Sequence, residues 1–340
     1  MKKSLPLLSL LSLGLIFGGP IDSINKEALA ASHGKNVNWN LSTWGKRRAF
    51  TEGIEAVSKY VADKSGGHFT IKINYGGTLS KPRENLDGIS LGAFEAATFC
   101  ASYHADKNKA VTVLELPFLP ITNGDVQKAA DLAVYSHPAT IKEMKKWNAK
   151  LLMSAALPQY EFMGRGKEPR TIADFKGMRV RALGGIGKAM KVIGAVPTTV
   201  TAPETYRAIE TGTVDAAAFA FYSHFSYKIN EVSKWRTTNL SPGSVNCPLV
   251  VNIDAYNSLS DKNKKILTDA VDAGYAALDK AYSASIDKYT PVAEKQGIKK
   301  ITYSASDLDA FRKAAAQPVW DQWIKDCLLY TSPSPRDFEA

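Results

Sequence analysis

The chain has 340 residues, 45% hydrophobic and 22% charged, and a formal net charge of +10. That apolar share is ordinary for a globular protein that buries its core unaided, and the length exceeds one comfortable core, so two lobes are expected. The basic balance comes from scattered pairs (Lys145-Lys146, Lys264-Lys265, Lys299-Lys300) rather than a run, which argues against a nucleic-acid partner and for a solvated surface that mildly steers anions.

The start reads as an export signal. Met1-Lys2-Lys3 is basic, Leu5 to Gly18 is an apolar run, and Ala28-Leu29-Ala30 is a small-x-small cleavage pattern. Residues 1–30 are therefore expected to be removed, with the mature chain beginning near Ala31 or Ser32. These thirty residues carry one net positive charge (Lys2, Lys3 and Lys26 against Asp22 and Glu27), so the remainder keeps +9. No later segment is long and apolar enough to span a membrane.

Val37, Trp39 and Leu41 alternate as a strand, followed by a helix with Phe50, Ile54, Val57 and Val61 on one face, closed by Gly66-Gly67. Phe69, Ile71 and Ile73 alternate again, and a helix around Asn85 to Leu91 leads into the apolar stretch Ala96 to Ala101. This order reads as an α/β lobe with a largely parallel sheet. The pattern recurs with strands over Lys150–Leu157 and Met178–Leu183, a helix over Pro203–Glu210, and the wholly apolar Val214–Phe221, as a strand buried on both faces would be.

From Ser260 to about Gln296 a capped helix carries Leu267, Val271, Leu278, Tyr282, Ile286 and Tyr289 on related faces, with Pro291 as a kink or stop. Some thirty helical residues span ~45 Å, longer than one small lobe. One helix crossing both lobes is favoured over two joined by a turn. The stretch 327–340, rich in Pro and Ser and without helical period, is excluded from the fold as a non-native tail.

Chemistry-bearing motifs are sparse. HExxH, P-loop and kinase signatures are absent from the sequence, and His33, His68, His104, His137 and His224 lack metal-ligand spacing. Neither an enzyme, a cofactor nor a metal is expected. Cys100, Cys247 and Cys327 form no CxxC; Cys100 and Cys247 could pair in an oxidising compartment or remain buried thiols. Arg181 to Lys188 contains a glycine-rich turn like a dinucleotide fingerprint, but the third glycine would fall at Met190.

The same region fits another pattern better. Ala173-Asp174-Phe175-Lys176-Gly177-Met178-Arg179-Val180-Arg181 resembles the D-L-K-G-x-K-x-R strand of solute-binding proteins of tripartite ATP-independent periplasmic (TRAP) transporters. Gly194-Ala195-Val196-Pro197 and the run from Glu204 to Asp215 resemble that family's G-A-x-P and E-x-Y-x-A-L-Q-x-G-x-V-D-G. Gly66-Gly67 and Leu116-Pro117-Phe118-Leu119 also match, so the likeness covers residues 37 to 326 in order.

The resemblance implies a two-lobed binding protein of the type II kind, hinged where the chain crosses near Leu157 and Pro248. Lobe I would comprise 31–157 plus 248–282, and lobe II 158–247 plus 283–326. It implies that Arg181 grips a substrate carboxylate, a role its planar fork suits better than lysine, while Arg179 is structural. Trp44, Tyr103 and Tyr222 occupy cleft positions, with Tyr160 beside them. The chain departs from the family at Glu161, where many members have a second arginine; at Phe219, where many have asparagine; and at Ala216 for glycine. One arginine, one acid and extra aromatics suggest a small monocarboxylate with an apolar body, or one whose donor group faces Glu161, rather than a dicarboxylate.

The implied role is a periplasmic receptor that closes on an organic acid and presents it to TRAP permease subunits, as a monomer without nucleic acid. A receptor for an ABC-type permease and a periplasmic sensory module are the alternatives.

Overall fold

The computed structural model describes residues 36–121 and 123–331. The expected export signal, residues 1–30, lies outside these, as do residues 332–340.

In the first lobe β1 (Val37–Ser42), helix α1 (Glu52–Lys64), β2 (Phe69–Asn74), α2 (Asn85–Ser90) and β3 (Ala96–Thr98) follow in order. Helices α3 (Gly124–Ser136) and α4 (Pro138–Lys145) then lead into β4 (Ala149–Ser154). β1 pairs in parallel with β2 and β3. Alternation buries Trp39 and Leu41 on one face, and Trp39 meets Phe69 edge-on at 4.9 Å between ring centres.

The second lobe holds β5 (Tyr160–Gly164), β6 (Arg179–Arg181), α5 (Gly184–Val192), β7 (Val196–Thr198), α6 (Thr205–Glu210), β8 (Ala216–Ala220), α7 (Phe221–Ser226) and β9 (Trp235–Thr237). The chain then returns to the first sheet as β10 (Pro248–Asn252), continues through α8 (Ile253–Asn257) and α9 (Asp261–Lys295), and ends with β11 (Lys299–Ile301) and α10 (Ala305–Thr331).

The first sheet has order β2-β1-β3-β10-β4 and the second β11-β9-β5-β8-β6-β7. Both are mixed rather than largely parallel, because β10 runs antiparallel to β3 and β4, and β5 runs antiparallel to β8 and β9. Each of these two strands enters its sheet straight from the other lobe, and each completes a hydrogen-bonding ladder on both sides. β8 and β10 are buried throughout, which explains their unbroken apolar runs.

The two crossing segments, 155–159 and 238–247, lie side by side. Ala155 N donates to Cys247 O at 2.9 Å, Tyr160 N to Gly243 O at 2.9 Å, and Ser244 Oγ to Leu157 O at 2.7 Å. Asn246 anchors the second crossing, donating from Nδ2 to Asp131 (2.9 Å) and Ser154 (3.1 Å) while its Oδ1 accepts from Tyr135. Burial pushes the Asp131 carboxyl up to about 7. Cys100, just after β3, and Cys247 form a disulfide, so the pairing that the sequence leaves open is made.

Helix α9 is continuous over 35 residues, and the Ser260 hydroxyl accepts from Asn263 N at its start. It packs on α1 through two glycines: a Cβ at Gly53 would lie 2.9 Å from Leu278, and one at Gly274 3.1 Å from Val57 of α1 and 2.5 Å from Met153 Sδ of β4. Further along, Tyr282 meets Tyr222 of the second lobe at 5.2 Å, and Tyr289 stacks on Phe225 at 4.6 Å. One helix therefore touches both lobes. Pro291 does not end it; the missing N–H leaves one carbonyl of the preceding turn without its helical partner.

Helix α10 also crosses. Trp320 Nε1 donates to Pro117 O and Trp323 Nε1 to the Thr112 hydroxyl, both at 2.9 Å. Its backbone runs on through Thr331, so the first residues of the stretch read as a tail continue the helix.

Candidate ligand-binding site

Between the lobes lies a narrow cavity, about 20 Å³, walled by aromatic side chains from both. The first lobe contributes Trp44 from the turn after β1, Phe50 and Arg48 from the approach to α1, and Tyr103 from a short helical turn after Cys100. The second contributes Tyr160 at the start of β5, Arg181 at the end of β6, Phe219 near the end of β8, and Tyr222 and Tyr227 from α7 and the residue after it. The Cys100–Cys247 bridge forms part of the wall. The cavity thus sits outside strand ends, where α/β sheets place ligands.

Arg181 is 1% exposed. Its Nε donates to Val200 O (3.0 Å), Nη1 to Ala218 O (2.8 Å) and Nη2 to the Tyr103 hydroxyl (3.3 Å). The guanidinium lies 4.0 Å from the Phe219 ring centre. A guanidinium has five N–H groups, so two remain, one on each terminal nitrogen. Among the described residues no carboxylate forms a salt bridge with Arg181. Tyr103 reaches across the lobes, for its hydroxyl also accepts from Ala202 N at 2.9 Å. Having accepted twice, it still has a proton to donate.

Arg179, two residues earlier, is half-exposed and pairs with Asp215 through Nε and Nη2. It pins the β6–β8 edge and stays out of the cavity.

Of the seven residues expected at the site, Trp44, Tyr103, Tyr160, Arg181, Phe219 and Tyr222 come together around the cavity. Glu161 does not. It pairs with Phe219 across β5 and β8, but its carboxylate turns toward β9 and the crossing that follows. There it accepts from the Thr237 hydroxyl, Leu240 N (3.2 Å), and Ser241 N and Oγ (2.9 and 2.8 Å). Burial raises its pKa, and these bonds pull it back down. The carboxylate is satisfied internally, so the expectation that it faces the ligand is not met.

His224, beneath Phe219, bonds the Glu161 carbonyl through Nε2 at 3.1 Å, and burial lowers it to about 3, which keeps the ring neutral. Burial likewise raises the Tyr160, Tyr222 and Tyr227 hydroxyls. Arg48 and Tyr227 were not singled out from the sequence. Arg48 stands in an irregular turn with no strand or helix period, and the only local hint is its place between two cleft aromatics, Trp44 and Phe50.

Two α/β lobes, two adjoining crossings, and a buried cation between them with donors to spare make up a hinge-closing solute receptor. The chain belongs to the family described as bacterial extracellular solute-binding protein, family 7, which it matches over residues 42–326; this is the family of TRAP solute receptors, proteins that bind substrates without transforming them.

It is 25% identical over 307 residues to the monocarboxylate 2-oxoacid-binding periplasmic protein of a Nostoc species, with 85% of this chain and 83% of that protein covered. Among solved structures, a TRAP periplasmic solute-binding protein from Roseobacter denitrificans with bound β-D-glucuronate superposes with a TM-score of 0.73 at 22% identity, covering 85% of this chain and 95% of the other. One from Pseudomonas aeruginosa with bound L-malate gives 0.73 at 16% identity, covering 84% and 99%.

Proposed function

We propose that this protein is an exported receptor that holds a small organic acid on Arg181 between its lobes and presents it, chemically unchanged, to the membrane subunits of a TRAP transporter. The observation that carries the reading is the buried guanidinium of Arg181, which has two N–H groups left over and no carboxylate partner among the described residues. A buried charge without a counter-charge is costly, and a ligand carboxylate relieves that cost with two parallel bonds. Tyr103, which bonds Arg181 from the opposite lobe, couples carboxylate binding to closure. Ligand contacts that exist only with the lobes together shift the population toward the closed form, which is the form for a permease to recognise.

Because Glu161 points elsewhere, no acidic side chain among the described residues faces the cavity to repel a second carboxylate, and the expected bias against dicarboxylates is withdrawn. The acid that co-purifies, identified by native mass spectrometry, serves as the titrant. Arg181→Ala should weaken its binding by roughly thirty- to a hundredfold or more, corresponding to ~2–3 kcal/mol. Arg181→Lys should restore little, since it keeps the charge and loses the fork. Calorimetry on folded variants decides: near-wild-type affinity in Arg181→Ala removes the carboxylate assignment.

A further inference from the structure

The cavity has a second cationic end. Arg181, from the second lobe, stacks on Phe219; the Phe219 ring stacks on Tyr227 at 5.8 Å and 20° between planes; and Arg48, from the first lobe, lies 5.4 Å from the Tyr227 ring centre. A column of guanidinium, phenyl, phenol and guanidinium therefore runs along the wall. Arg48 is held in place by its Nη1, which donates to Trp44 O (2.9 Å) and Lys46 O (2.8 Å), and by the Phe50 ring at 4.5 Å.

What these contacts leave over is informative. Arg48 Nε is buried and has no hydrogen-bond partner among the described residues, and the Tyr227 hydroxyl, also buried, has no acceptor for its proton. Both side chains border Gly45, where an added Cβ would lie 3.0 Å from Arg48 Nη1 and 3.1 Å from the Tyr227 oxygen. The glycine, at φ +70°, lets the two side chains come close there. Among the described residues, no aspartate or glutamate lines the cavity to answer the two arginines.

We infer that Arg48 and Tyr227 form a second anchor that takes an oxygen acceptor of the ligand, so the bound acid carries a hydroxyl, oxo or second carboxylate oxygen beyond the carboxylate held by Arg181. An acid with a purely apolar body would cover both donors and leave them unmet, which disfavours it. The inference rests on the reading of Arg181 as the carboxylate anchor and narrows its ligand class.

The test is calorimetric titration with sets of acids that differ by oxygen content: propionate, lactate and pyruvate; butyrate and succinate; phenylacetate and mandelate. Wild type should bind the oxygenated member of a set at least about tenfold more tightly than the plain one, as a charge-assisted bond predicts. Tyr227→Phe, which keeps the ring stack, and Arg48→Met should each compress that ratio to within about threefold. Thermal melting confirms folding, and if Arg48→Met does not fold, Tyr227→Phe decides alone. Equal affinities within every set in wild type, or an undiminished ratio in the folded variants, overturns the second anchor while leaving the carboxylate reading intact. Loss of all acids in Arg181→Ala supports only the carboxylate reading; failure of every acid to bind wild type overturns that reading and the anchor with it.

Discussion

Three of the five N–H groups of Arg181 are used to fix the side chain, and the proposed anchor draws its precision from that: two carbonyls of its own lobe hold the fork, and the Tyr103 hydroxyl joins them from the other. Glu161 is the opposite case, a carboxylate whose acceptor capacity the protein fills by itself. Glu161→Gln should therefore act on stability. Its amide would present N–H to donors now facing an oxygen, for a loss on the order of 1–3 kcal/mol, while affinity for the natural acid stays within about twofold. Urea denaturation beside calorimetry checks both halves; a changed affinity at unchanged stability would return Glu161 to the cleft. The place of Arg181 at the cavity was legible because the residue closes a strand inside an ordered series of motifs. The orientation of Glu161 was not, since its partners Thr237, Leu240 and Ser241 lie 76 to 80 positions away and reach it only through tertiary pairing.

Among the elements, α5 has the most exacting start. The glycine-rich turn that opens it resembles a nucleotide loop, yet what it meets is the other lobe. A Cβ on Gly185 would stand 2.0 Å from the Glu115 carbonyl oxygen, and one on Gly184 2.3 Å from the Glu115 carboxylate. That carboxylate accepts from Ser102 N and Asn246 N at 3.2 and 3.0 Å, and burial raises it to about 7. Gly185→Ala should hold the lobes apart, because the atom in the way is backbone and cannot rotate aside. If closure becomes tenfold rarer, apparent affinity for every acid falls tenfold, with acid-to-acid ratios preserved. Small-angle scattering should show a larger radius of gyration at saturating ligand than in wild type; equal radii and equal affinity would mean that the contact is not made on closing. Helix α9 was readable from its Ser-Asp cap and its lack of breakers. β7, β9 and β11 were not, as three residues each carry too little alternation to stand out.

At the scale of the molecule, the chain visits the first sheet, crosses, and returns. The two α/β halves were evident from the order of strands and helices, but the antiparallel insertions of β5 and β10 follow from the route between lobes, which local pattern does not record. The Cys100–Cys247 bridge closes that route across a separation of 147 residues. In the chain-entropy account a loop of this length is worth about 5 kcal/mol against the unfolded state. Both cysteines also line the cavity between the lobes, so under the proposed function oxidation state and binding meet at the same two residues. Two thiols need more room than one bridge, in a space that has little to give. The history of a sample should then become part of its affinity: protein folded with its thiols reduced and protein folded with the bridge made should share a sequence but not a pocket. Paired preparations, titrated with the same acid before and after treatment with a phosphine reductant, should differ in melting temperature and in Kd together, and coincident values for both would separate the bridge from the site it borders.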